Sequence, residues 1–279
     1  MNQGVESMSD LDPIRVHYVR EFTRLSLWYA NKRLRENPGD LEDTVNVRVN
    51  LYRNTSLYNG NHHPAAGDED LEWNVIVGKL GEIFDKYGND SESVETRGLA
   101  ILWPLMEARI RKLGNEQPGL DDRSHECWNY DYKHEDSLSL HIANVYQPKS
   151  PLSDMHVQFA ASLIRLLRDS QVRRPEVKVV RCGSWLNSAP RFQMLFPEAW
   201  IQSADRRTEM RYTMGHWGQF MDRRGDFHEK NGAFFRRTGE MPYPSSLCRC
   251  KIDMVLDHLH ETFPEAVAYN DQLGYVPTA

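Results

Sequence analysis

Cysteine is scarce in this chain of 279 residues: there are four, Cys127, Cys182, Cys248 and Cys250, and no Cys-x-x-Cys pair. Cys248-Arg-Cys250 is too tight for a usual zinc knuckle, so reduced thiols and a cytoplasmic setting are expected. No apolar run approaches the roughly 20 residues of a membrane-spanning helix, and no membrane partner is expected. The first residues are polar and acidic, which does not read as a secretory signal. A basic excess is missing too: 34 Lys and Arg against 40 Asp and Glu leave a formal charge of −6, which argues against nucleic acid. The basic pairs Arg206-Arg207, Arg223-Arg224 and Arg236-Arg237 are local. They read as solvated faces and ion pairs, or as a site for an anionic group such as a phosphate. There is no internal repeat and no low-complexity segment.

What is present is enough apolar material, 40% of the residues, for a sizeable core in one large domain or two smaller ones. Residues 1–12 read as a flexible tail. Pro13 to Arg35 reads as a helix with Val16, Val19, Phe22, Leu25 and Tyr29 on one face, stopped by Asn37-Pro-Gly-Asp40. Leu41 to Leu57 suggests another, carrying Val45, Val49 and Tyr52. Tyr58–Asp68 is a loop. Asp70 to Tyr87 is helical by pattern, with Leu71, Val75, Leu80, Ile83 and Phe84. Thr96 to Leu113 follows, ended by Gly114. The polar stretch Asn115–Asp122, containing Pro118-Gly119, is the candidate linker.

The most patterned stretch runs from Ser137 to Trp200. Ser137–Ala143 alternates, with Leu138, Leu140 and Ile142 on one side and Ser139, His141 and Ala143 on the other. Ser153 reads as an N-cap with Asp154 in the first turn. Met155, Phe159, Leu163, Leu166 and Leu167 then recur at helical spacing, and Glu176–Cys182 reads as a second strand. Two strands flanking one amphipathic helix define a right-handed βαβ unit with parallel strands. Cys182-Gly-Ser-Trp-Leu-Asn-Ser-Ala-Pro190 follows at a strand end, where α/β sheets open their clefts. A short strand is expected at Cys127–Tyr132. Further on, strands are suggested at Trp200–Ser203 and Glu209–Met214, a strand or turn at Gly215–Phe220, a charged loop at Asp222–Lys230 and a closing helix at Ser246–Phe263. The expected architecture is α+β: a tail (1–12), a helical N-terminal domain (13–115), a mixed-sheet domain (123–263) and a C-terminal tail (264–279).

Three segments carry a family resemblance. Ala108-Arg-Ile-Arg-Lys-Leu-Gly114 is similar to an R-L-x-R-L-G element. Leu138-Ser-Leu-His-Ile142 with Ser150-Pro-Leu-Ser153 is similar to a strand ending in L-H-I-P and the helix start after it. Cys182-Gly-Ser-Trp-Leu186 is similar to a C-x-S-W-L-L turn. In this order they resemble bacterial acyltransferase-like proteins with an N-acyltransferase N-terminal domain and a GNAT-like C-terminal domain. Pro242-Tyr-Pro-Ser-Ser-Leu247 adds a weaker match before the last helix. The chain departs from the pattern at Ala143 and Asn187, and residues 204–241 have no counterpart.

The resemblance implies a GNAT-like sheet and transfer of an acyl group from a thioester, acyl-CoA or an acyl-carrier-protein thioester, to a small amine or hydroxyl acceptor. An acyl carrier protein is the implied protein partner, and no bound cofactor is expected. Such a reaction needs a groove, donors for an oxyanion and a base. His141 suits the base, since its ordinary pKa lies near neutrality, or is a satisfied structural histidine. Ser184 and Asn187 suit hydrogen-bond donors to the carbonyl, or ordinary turn chemistry. Asn144, Trp185, His216, Trp217 and Arg236 are candidates for lining the substrate site. Cys182 suits a nucleophile if held near His141, or a plain buried thiol. The Q/R-x-x-G-x-G/A loop that holds coenzyme A pyrophosphate is missing; Arg236-Arg-Thr-Gly-Glu240 comes nearest and lacks the second glycine.

Two other readings come from the same residues. His134-Glu135-Asp136 has the H-x-D spacing of an iron oxygenase triad, with His228 or His216 as the distal histidine and Arg236 for a carboxylate co-substrate. The third is a non-catalytic small-molecule or protein binding module on the same fold.

Overall fold

The computed structural model describes residues 11–60, 71–113, 124–134 and 136–278. In chain order the helices are α1 (Pro13–Glu36), α2 (Leu71–Tyr87), α3 (Ser91–Leu113), α4 (His156–Arg173), α5 (Pro190–Gln193), α6 (Glu198–Gln202), α7 (Met214–Trp217), α8 (Glu229–Thr238), α9 (Ile252–Thr262) and α10 (Pro264–Gln272). The strands are β1 (Ser124–His125), β2 (Trp128–His134), β3 (Ser137–Ile142), β4 (Val179–Ser184), β5 (Asp205–Arg206) and β6 (Ser246–Lys251). The protein is α+β. None of its described helices is long and apolar enough to cross a membrane. The candidate linker Asn115–Asp122, most of the N-terminal tail and most of the Tyr58–Asp68 loop lie outside the described residues.

The chain divides into two compact units. The first takes the described residues up to Leu113 and adds Met210–Thr213 and Gln219–Pro242; the second takes the rest. Thus α8, from a segment expected in the sheet domain, belongs with α1, α2 and α3.

In the helical unit, Asp12 caps α1 by accepting from the Ile14 N–H at 3.0 Å, and Pro13 fills the first turn where no N–H is needed. Phe22, Leu25 and Ala30 of α1 are buried with Leu102, Met106 and Ile110 of α3. Gly98 lets α1 and α3 approach, since a Cβ there would lie 2.8 Å from Leu27 Cδ2. In α2 the buried face is Trp73, Val77, Leu80 and Phe84; Leu71 and Val75, expected on it, are exposed. The indole N–H of Trp73 donates to Asn46 Oδ1 at 2.8 Å, so burying Trp73 leaves no orphan donor. The expected helix at Leu41–Leu57 is instead a π-helical turn, Asp43–Arg48, and a 3-10 turn, Leu51–Asn54. Asn50 separates them in the left-handed region, φ 42°, with its side chain accepting from the Arg53 N–H.

His17 and Asp226 join α1 to the turn before α8, Nδ1 to Oδ1 at 2.6 Å. The Asp226 hydrogen bond raises the His17 pKa above 6.5; burial opposes this, and the charges of Asp226, Glu21 and Glu229 reinforce it. A raised folded-state pKa contributes stability that is fully present below the unfolded value and is lost as pH rises through the folded one. Asp226→Asn should therefore remove that part of the decline in thermal midpoint above pH 6.5. An unaltered pH profile in melts of the variant would reject the linkage.

In the sheet unit the strand order is β1-β2-β3-β4-β6-β5. Among the described strands only β3 and β4 are parallel, and α4 connects them, so the expected βαβ connection is present. Register fixes which residues share a face: Leu138 pairs with Val180, Ser139 with Arg181, Arg181 with Arg249 and Cys182 with Cys248. One face carries Leu138, Leu140, Val180, Cys182, Cys248 and Cys250 and is buried in one core with Phe159, Leu163 and Leu167 of α4 and Val255, Leu256 and Leu259 of α9. Full burial of each such aliphatic side chain contributes about 1.5–3 kcal/mol. Trp128 stacks on Phe159 at 4.3 Å and donates its indole N–H to the Phe159 carbonyl at 3.0 Å.

Several expectations in this unit give way. Ser246–Lys251 is a strand, β6, and the closing helix begins only at Ile252. Ser246, Cys248 and Cys250 are buried and alternate with Leu247, Arg249 and Lys251, a period of two that antiparallel pairing to β4 selects. Trp200 lies in α6, and Glu209–Met214 forms no strand. Gly215–Phe220 falls in α7 and a 3-10 turn. Met155, not Ser153, stands at the N-cap position of α4 and makes no side-chain capping bond; Ser150–Asp154 close a turn on themselves, with Asp154 Oδ2 accepting from the Ser150 N–H at 2.9 Å. The expected C-terminal tail contains α10, with Pro264 in its first turn.

Candidate functional site

The second face of the sheet is polar. Side chains alternate along a strand, so Ser139 and His141 of β3 share a face with Arg181 and Gly183 of β4, while Ser184 shares the buried face with Cys182. His141 and Ser184, both expected to act in one acyl-transfer site, therefore lie on opposite faces of the sheet. Two hollows of about 430 and 460 Å³ lie in the helical unit, lined by residues such as Ser93 and Arg97 in one and Asn31 and Lys86 in the other. None of the candidate residues lines either.

Ser184 is 6% exposed, and its hydroxyl accepts from the Leu186 N–H at 3.1 Å, capping a 3-10 turn. Asn187 is equally committed. Its side-chain NH₂ donates to the Cys182 carbonyl at 2.9 Å and the Ser246 carbonyl at 2.8 Å, and its Oδ1 accepts from the Trp200 indole at 3.1 Å. With both amide hydrogens and Oδ1 engaged in structure, neither residue is presented to a substrate. Asn144 holds its own loop, donating to the Lys149 carbonyl and accepting from the Tyr146 N–H. Trp217 is fully buried, and Trp185 is half-buried with its ring 5.6 Å from that of Tyr243.

Arg236 belongs to the helical unit, where its guanidinium forms a two-pronged pair with Glu95 at 2.6 and 2.9 Å. His228 is also there, capping α8. His134 and Asp136 lie in the sheet unit, and the side chain of His134 is outside the described set. Among the described residues no three His, Cys, Asp or Glu side chains converge as metal ligands.

Cys182 is buried, and desolvation, with Cys248 beside it, pushes its thiol up to about 12. The thiolate is the reactive form, so this thiol is inert. Alkylation followed by mass spectrometry is expected to leave Cys182 unmodified until the protein unfolds; rapid labelling of the native chain would contradict this.

What the open face does assemble is a dyad. His141 Nε2 lies 2.8 Å from Asp131 Oδ2; the imidazole is 59% exposed and the carboxylate 16%. Asp131 faces the same way because it pairs with Ser139 across β2 and β3. Burial pushes the Asp131 carboxyl up, but hydrogen bonds from His141 and the Lys133 N–H outweigh it and hold the group below the usual carboxylate range. An ionised Asp131 makes His141 Nε2–H the donor and leaves Nδ1 as the basic nitrogen.

Beside the dyad on β4, Gly183 supports an arginine. A Cβ at Gly183 would lie 2.4 Å from an amino nitrogen of Arg207, so the guanidinium rests where any other side chain would sit. His216, 5% exposed, hydrogen-bonds the Arg207 backbone; desolvation lowers its pKa and keeps it neutral. The sequence reading thus found His141 and His216 but missed Asp131, Gly183 and Arg207. The Arg206-Arg207 pair was the available signal. No family model, curated protein or solved structure matches the chain.

Proposed function

We propose that the chain is an acyltransferase-like enzyme that moves an acyl group from a thioester donor to a small amine or hydroxyl acceptor, with His141 as general base. The supporting observation is the Asp131–His141 dyad at the end of the parallel pair β3/β4. The GNAT-like character of the fold is part of the same proposal, supported by one parallel pair joined by α4 within an otherwise antiparallel sheet.

In this reaction the acceptor N–H or O–H bonds to His141 Nδ1. As the acceptor nitrogen or oxygen attacks the thioester carbonyl carbon, its proton passes to Nδ1. The new C–N or C–O bond forms, the C–S bond breaks, and the imidazolium returns the proton to the departing thiolate. Asp131 orients the ring and stabilises its positive charge. The Arg207 guanidinium rests over Gly183 of the neighbouring strand β4 as a cation for negative charge on the donor. The test is thiol release from acyl thioesters of graded chain length, with small amines and alcohols as acceptors. Acceptor-dependent release supports transfer, and no release across the series would sink it.

A second reading, a binding module on the same fold, is favoured by the openness of the dyad, since an imidazole 59% exposed is not shielded from water. It predicts binding without turnover.

A further inference from the structure

We propose that Arg181, Arg207 and Arg249 form a binding site for a phosphate or pyrophosphate group on the polar face of the sheet unit. Arg181 and Arg249 are direct partners across β4 and β6, and like charges in that position oppose folding. Arg207 lies over Gly183, the next residue of β4 on that face. Among the described residues, none of the three guanidinium groups has a hydrogen-bond or ion-pair partner. The acids nearest in register do not neutralise them: Asp131 is taken by His141, and Asp205, opposite Leu247, makes no ion pair. Lys251 adds a fourth positive charge on the same face of β6.

Three unneutralised guanidinium groups, two on adjacent strands and one resting over β4, are destabilising in isolation and favourable around an anion. Strands lie about 4.8 Å apart and same-face residues about 7 Å apart along a strand, so these bases span one or two phosphates. Arginine's planar fork suits phosphate oxygens. A stable protein partner would need an interface of roughly 1,200–2,000 Å², far more than this cluster supplies. The sequence lacks a Q/R-x-x-G-x-G/A phosphate loop, so a phosphate-bearing ligand requires cations from elsewhere. Identifying the group as the phosphate end of the thioester donor rests on the transfer reading; the anion site does not.

The test is calorimetric titration of inorganic pyrophosphate into the full chain at low ionic strength. One saturable site is expected, weakened roughly 10-fold or more by Arg181→Ser or by Arg249→Ser and unaffected by Lys178→Ser or by Lys149→Ser. Both arginine variants should melt no lower than the parent, because each removes a repulsion. Absence of saturable binding overturns the proposal, as does equal binding by all four variants. Arginine-dependent binding of an acyl carrier protein without pyrophosphate binding would also overturn it. Pyrophosphate binding without thioester turnover supports the site and sinks only the transfer reading.

Discussion

Replacing His141 with alanine is expected to lower acceptor-dependent thioester turnover by roughly 10²-fold or more, the usual contribution of a positioned general base. Because the imidazole is 59% exposed and, among the described residues, its one hydrogen bond is to Asp131, the variant should fold and melt like the parent. Asp131→Asn should reduce turnover less than His141→Ala while leaving acceptor KM unchanged. The amide can still accept from Nε2–H but carries no charge to stabilise the imidazolium. Equal turnover by the parent and His141→Ala would remove the base from the mechanism. A large fall in thermal midpoint would show the histidine to be structural instead.

The largest effect on stability is expected at Asn187. Asn187→Leu keeps the volume but removes the amide donors to the Cys182 and Ser246 carbonyls and strands the Trp200 indole N–H. A stranded buried donor costs about 1–3 kcal/mol and each lost hydrogen bond about 0.5–1.5 kcal/mol, so the loss should be about 3 kcal/mol. Chemical denaturation measures this directly. A variant that unfolds at parental denaturant concentration would overturn the structural role. The residue expected to donate to a substrate carbonyl instead ties the end of β4 to the start of β6 and to α6.

Much of the sheet unit was legible locally. Ser137–Ile142 alternates, Phe159–Leu167 repeats at helical spacing, and these periods directly predict β3 and α4. Ser246–Lys251 reads locally as helix because Leu247, Ile252, Val255 and Leu256 also suit one long helix. Only the vacant edge of β4 makes the alternating Ser246, Cys248 and Cys250 a strand. The role of Arg207 was hidden for a related reason: its guanidinium rests on Gly183, 24 positions earlier in the chain, and no local pattern encodes that contact.

By itself the sequence determined the periodic elements, the outward side of His141 and the α+β class, because each depends on neighbours within a few residues. Tertiary structure alone decided that His141 and Ser184 part company across the sheet, that Asp131 stands beside the imidazole, that Arg181 pairs with Arg249 and that Arg207 rests over Gly183. Those outcomes depend on strand register, and sliding a strand by one residue turns every side chain to the opposite face.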